Sequence, residues 1–177
     1  MRYGLQPVTR RVWALRGQRV VVPVRPGYRW GYVFGALQVG GRGEAAFLYC
    51  PSVTRHTSRL FLRQLAARAP EAIHVVLWDG AGFHPEDGAP RVPANVRLVT
   101  LPPYSPQLNP VEKLWDQRKD YLCHQPFRTL PQLEAVMTEF LRGIWQDAQR
   151  VWSLVGEGWL LAQVQHFLCQ HSTGMTA

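Results

Sequence analysis

The chain has 177 residues, 46% of them hydrophobic, enough for a domain with its own core and too many for a disordered segment. Its net charge is +8, carried almost wholly by arginine, because Lys113 and Lys119 are the only lysines. No apolar run reaches the roughly 18 residues of a membrane span, no leader is visible after Met1, and Cys50, Cys123 and Cys169 form neither a CxxC pair nor a disulfide framework.

A cytoplasmic location is therefore expected, and nucleic acid is the leading polyanionic partner. Arginine's planar fork grips a phosphate through two hydrogen bonds. A GC-rich genome also yields arginine, so charge alone leaves these two accounts even. There is no block of like charge that would read as a disordered basic tail.

The chain opens in β-pattern. "RRVWALRGQRVVVPV" predicts two strands around a turn at Arg16-Gly17-Gln18, "RWGYVFGALQV" a third, and "EAAFLYC" a fourth after the turn at Gly40 to Gly43. Together they make an antiparallel meander. The period then changes. Thr54 or Thr57 caps a helix running to about Arg68, with Phe61, Leu62, Leu65, Ala66 and Ala69 on its apolar stripe.

"IHVVLW", Ile73 to Trp78, is short and almost continuously apolar, as suits a strand buried on both faces. It stops at Asp79, and a glycine-rich loop follows. "NVRLVTLP" is another such strand. Thr129 and Gln132 form a capping box for a helix whose stripe is Leu133, Val136, Met137, Phe140, Leu141, Ile144 and Trp145. The last thirty or so residues are expected to be helical. This order gives a mixed α/β sheet in one domain, with a C-terminal helical extension after about residue 145.

Between the last strand and the helices stands "LPPYSPQLNPVEKLW", Leu101 to Trp115. Asn109 at N-cap puts Pro110 at N1 and Glu112 at N3, so one reading is a capping box in which Glu112 reaches back to the Asn109 backbone. The other reading is chemical. Val111, Leu114, Trp115 and Leu122 form the buried stripe, and Glu112 sits beside it at the first turn. Asp79 ends a buried strand, and ligand sites in open α/β sheets gather at the carboxyl ends of strands. Two carboxylates there, one braced by Pro102, Pro103, Pro106 and Pro110, suit a hard divalent cation.

This stretch, together with "VVLWDGAGFH", resembles the catalytic core of DDE transposases from bacterial insertion sequences, in the mariner superfamily. The proline-tyrosine-serine-proline run followed by asparagine-proline-glutamate is highly specific. The intervening segment 80–111 is close to that family's spacing. The resemblance reaches back through "RRVWALRGQRV" and "YVFGALQ" and weakens after about Ile144.

It implies a ribonuclease H-like mixed sheet flanked by helices, with Asp79 as the second and Glu112 as the third catalytic carboxylate. It implies two Mg²⁺ (or Mn²⁺) ions, DNA as substrate (element ends and target), a homodimer, and a nucleoid-associated cytoplasmic protein. The family's first aspartate stands upstream of a stretch like "MRYGL", so that aspartate and its strand are expected to be lacking. A misplaced start, a frameshift or gene decay would each account for this. A second reading is thus a catalytically inactive DNA-binding or oligomerising remnant; a junction resolvase of the same fold fits the loop less well. Glu44, Glu86 and Asp87 are poor substitutes, because metal geometry tolerates little displacement.

His84 matches a family histidine and is a candidate for touching phosphate or orienting Asp79; a loop histidine satisfied by backbone is the alternative. Tyr104, Ser105 and Asn109 match the family loop as DNA contacts or as its buttresses. Lys113, Arg118 and Lys119, on the helix of Glu112, are candidates for phosphate contacts, although a solvated helix face looks the same.

Overall fold

The computed structural model describes residues 1–6, 8–11, 13–21, 27–156 and 158–172. Among these residues five strands and five α-helices follow one another: β1 (Arg2–Gly4), β2 (Trp30–Leu37), β3 (Ala45–Cys50), α1 (Arg55–Ala66), β4 (His74–Trp78), β5 (Val96–Thr100), α2 (Val111–Leu122), α3 (Leu130–Trp145), α4 (Ala148–Val155) and α5 (Gly158–Ser172).

The mixed sheet comes in two pieces. β1, β2 and β3 form an antiparallel meander, and β4 pairs with β5 in parallel. Among the described residues no strand bridges the two pieces. The meander differs from its sequence reading at its start. Residues 13–21 form no strand, although the turn is there: the Gln18 amide donates to the Leu15 carbonyl at 3.0 Å, and Gly17 has φ +87°. Trp13, Leu15, Val20 and Val21 are exposed. A ribbon with no apolar face to bury is marginal. The remaining strand residues called there, Val12 and 22–24, lie outside the described set. The short β1, not foreseen, takes the edge place instead, with Tyr3 buried against the core.

Helix α1 joins the two sheets. Thr54 is its N-cap, in a capping box with Thr57. Leu62 and Ala66 pack on Trp78, Val96 and Leu98 of the parallel pair. Phe61 and Leu65 pack on Ala46, Phe34 and Leu48 of the meander. The opposite face of the parallel pair stays open, so β4 and β5 are not buried on both faces as expected. Leu77 and Arg97 are exposed, and Val96 and Leu98 alternate inward. One helix layer can cover one face only.

The largest core cluster lies on the other side of the meander. There α2, α3 and α4 pack Leu114, Trp115, Met137, Phe140, Ile144 and Val151 onto Val33 and Ala45. The Thr129–Gln132 capping box of α3 is present. Trp145, counted on that stripe, is 59% exposed, because α3 ends there and the chain turns into α4. No helix among the described residues is long and apolar enough to cross a membrane.

Candidate metal and nucleic-acid site

The parallel pairing sets one half of the site. Trp78 lies opposite Thr100, and the Leu101 amide donates to the Trp78 carbonyl at 2.8 Å. Asp79 and the proline-rich loop therefore leave the sheet at the same edge. The Asp79 carboxylate is 67% exposed, yet one of its oxygens is fixed twice. Oδ1 accepts the Ala81 amide at 3.3 Å, a local Asx-type turn, and lies 3.0 Å from His84 Nε2.

His84 is enclosed. Its ring stacks on Trp78 at 4.0 Å between centroids and touches Phe83 at 4.4 Å. The Ser58 hydroxyl, on α1, donates to the Phe83 carbonyl at 3.0 Å and ties the loop down. Burial lowers the His84 pKa, and the neighbouring Asp79 charge only partly opposes this. The imidazole is thus neutral at pH 7, with Nε2–H donating to Asp79. Nδ1 is buried with no partner among the described residues.

The other half of the site is α2. Its helix begins one residue later than the sequence reading placed it. Pro110 stands at N-cap with φ −58° and ψ −24°, so Glu112 is the second helical residue, not the third. Asn109 still caps: its Oδ1 accepts the Val111 amide at 3.2 Å, and its carbonyl takes the Glu112 amide at 3.0 Å. Glu112 itself is exposed and makes no capping-box bond to Asn109. In the loop before it, Tyr104 is fully exposed at φ +57°, and the Ser105 hydroxyl donates to the Pro103 carbonyl at 3.3 Å.

The Met1 ammonium donates to the Val33 carbonyl at 2.8 Å; burial lowers its pKa, while Glu112 and Asp79 both act to raise it. The structure brings Asp79 and His84 into contact, while Glu112 stands exposed on the first turn of α2. Among the described residues no three His, Cys, Asp or Glu side chains gather closely enough to hold a metal ion.

The basic residues of α2 divide. Lys113 is exposed, and Lys119 pairs with Asp116 at 2.9 Å. Arg118 turns the other way and is only 5% exposed. It belongs to the inward stripe with Leu114, Trp115 and Leu122, not to a solvated face. Helical spacing already carried that signal, since position 118 follows 111, 114 and 115 on one side. A charged side chain is simply not counted in an apolar stripe.

A profile of DDE superfamily endonucleases matches residues 1–134. The chain belongs to that family. An uncharacterised protein of Sinorhizobium fredii, y4pE/y4sA, is 35% identical over 101 residues, covering 56% of this chain and 73% of its own. Among solved structures, the Mos1 transposase paired-end complex with left transposon end matches with TM-score 0.56 at 18% identity, over 88% of this chain. The Mos1 strand transfer complex matches with TM-score 0.55 at 15% identity, over 92%. At such identities the likeness concerns the fold. The chain spans about half the length of the Mos1 chains it matches, 52% and 50%.

Proposed function

We propose that this chain is a single-domain transposase-type catalytic core that acts on DNA, with Asp79 and Glu112 as its metal-holding carboxylates. What supports the reading is their placement: Asp79 follows the carboxyl end of β4 and is held by His84, and Glu112 stands exposed in the first turn of α2, left out of the capping box that would have explained it. The donor set fits a hard cation. Mg²⁺ is commonly held by one or two carboxylates, with water and substrate phosphate oxygens completing its shell. When bound, divalent metal stabilises charge on the phosphoryl oxygens of an in-line displacement.

The protein's own residues do the rest. His84 holds one Asp79 oxygen and leaves the other facing solvent. The proline-rich loop aims the first turn of α2. Tyr104, Ser105 and Lys113 border the same loop and helix as contacts for a DNA backbone, in a nucleoid-associated protein that works as a homodimer.

A second reading, DNA binding without cleavage, is favoured by one observation: among the described residues no three His, Cys, Asp or Glu side chains gather closely enough to hold a metal ion. A nicking assay on supercoiled plasmid with Mg²⁺ or Mn²⁺, run beside Mn²⁺ titration, decides. Nicking that both Asp79→Asn and Glu112→Gln abolish establishes cleavage by this pair. DNA and Mn²⁺ binding without nicking assigns the second reading. Mn²⁺ binding indifferent to both substitutions removes the metal site altogether.

A further inference from the structure

A cavity of about 240 Å³ opens between β1, the C-terminal half of α2 and the turn after it. Arg2, Thr9, Trp30, Arg118, His124 and Gln125 are among the residues that line it, and none of its lining residues is acidic. Its floor is electrically unbalanced. Arg118 is 95% withdrawn from solvent, and Nε has no hydrogen-bond partner; no ion pair to its guanidinium is formed among the described residues. Both ring nitrogens of His124 are buried and without partners among the described residues as well. The backbone holds that imidazole at φ +61°, with the His124 amide donating to the Val8 carbonyl at 3.1 Å.

Such a floor is costly. A guanidinium does not lose its proton in a protein, and a buried charge without a partner is strongly destabilising. Leu122 and Leu133 in the same wall offer no compensation. Glu134, on α3, takes the Tyr3 hydroxyl at 2.6 Å. Arg2 adds a second cation at the rim, its guanidinium 4.6 Å above the Trp30 ring. An unsatisfied polar group of this kind calls for an ion.

We propose that this cavity is a phosphate-binding site, in which Arg118 grips two phosphate oxygens, His124 donates to a third, and Arg2 and Thr9 close the rim. Neither Asp79 nor Glu112 lines it. Phosphate is favoured over a lone carboxylate for two reasons. Donors converge from α2, from the turn after it and from β1, which suits a tetrahedral anion. The cavity also has room for a substituent beside the Trp30 ring. The phosphate has two possible sources, the DNA backbone or a free phosphate or mononucleotide.

The test uses the whole chain. Thermal unfolding is followed in phosphate, acetate and chloride at matched ionic strength, and phosphate affinity is measured by calorimetry. Phosphate should raise the unfolding temperature and acetate should not. Arg118→Met should fold at least as well, because it removes an unpaired buried charge, yet bind phosphate at least about tenfold more weakly. Asp79→Asn should leave phosphate binding unchanged. Should Arg118→Met not fold, amide spectra of the unaltered chain still decide: phosphate must shift Thr9, Arg118 and His124 and spare the loop after Asp79. No effect of phosphate beyond chloride, equal effects of acetate, or shifts confined to the Asp79 loop would overturn the proposal. Short single-stranded DNA separates the sources. If Arg118→Met also lowers the salt slope of DNA binding by about one, the phosphate belongs to the DNA backbone; an unchanged slope assigns the site to a free phosphate.

Discussion

At the scale of single residues, His84 explains how an exposed Asp79 is kept in one orientation. A carboxylate that is 67% exposed would turn freely if water were its only partner. The imidazole that holds it is itself locked between Trp78, Phe83 and the strand end. Burial lowers the His84 pKa below its ordinary 6.5. The unfolded chain therefore binds a proton at this residue at a higher pH than the folded one. Stability from this site is fully present above about pH 6.5 and is lost as pH falls through that value toward the folded pKa. The unfolding temperature should thus drop between pH 7 and pH 5, and His84→Gln should flatten that dependence. Parallel curves for the two proteins would remove His84 as the cause. If Asp79 holds a cation, the same substitution should also weaken Mn²⁺ binding by ~10-fold or more, since a residue that orients a ligand acts on affinity through it.

At the scale of elements, the placement of Glu112 depends on how α2 lies on β2. Gly35 lets them approach. A Cβ there would sit 2.7 Å from the nearest Trp115 ring carbon and 3.2 Å from Phe47. Trp115 is 5% exposed and cannot swing away. Gly35→Ala should cost about 1–3 kcal/mol in urea unfolding and shift α2 outward, weakening Mn²⁺ binding with it. Gly82, where an added Cβ meets nothing within 4 Å, is the control. The helix ends are simpler. Thr54→Ala removes the α1 cap and should cost about 1 kcal/mol.

These elements also mark what was readable from the sequence. That Thr57 completes a second capping box was not read; the Thr54 cap, the Thr129–Gln132 capping box and the α1 and α3 stripes follow from local spacing and were legible. The strands around Gly17 were not. Their alternation of apolar residues is genuine, but Trp13 and Val21 stay exposed among the described residues. The same limit applies to β4 and β5, whose apolar runs promised two covered faces while α1 covers one. Of the site, the order Asp79, loop, Glu112 was legible as a motif. The His84 contact became visible only in three dimensions, because it depends on Ser58 and Trp78 holding the loop. The burial of Arg118 was not read, because a charged side chain is not counted in an apolar stripe.

At the scale of the whole molecule, the two carboxylates ride on different packing units. Asp79 ends a strand of the α1–β4–β5 cluster, and Glu112 opens a helix of the β1–β3, α2–α4 cluster. The small cluster of Ala46, Phe61 and Leu65 links the units through α1. A cation shared by Asp79 and Glu112 would cross-link them, so Mn²⁺ should raise the unfolding temperature, and Glu112→Gln should abolish the rise. A rise that survives in the variant would place the ion elsewhere.

The charge distribution acts at this same scale. The chain carries +8, and its arginines are spread from Arg2 to Arg150. Binding to duplex DNA should therefore be electrostatic and sequence-tolerant. Each phosphate contact releases counterions, so affinity falls as a power of salt concentration. If about six phosphates are contacted, the loss between 50 and 200 mM salt should be ~10³. Pairs already closed within the protein reduce that number. Lys119 is held by Asp116, Arg10 by Asp116 and Asp120, and Arg142 by Glu139. Reversing Lys119 to glutamate should accordingly alter the slope less than reversing Arg59, which has no carboxylate within ion-pair distance among the described residues. Fluorescence anisotropy of a labelled duplex over a salt series measures both slopes. A salt-independent affinity, or a strong preference for one sequence, would show that contacts to base edges rather than phosphates dominate the interface.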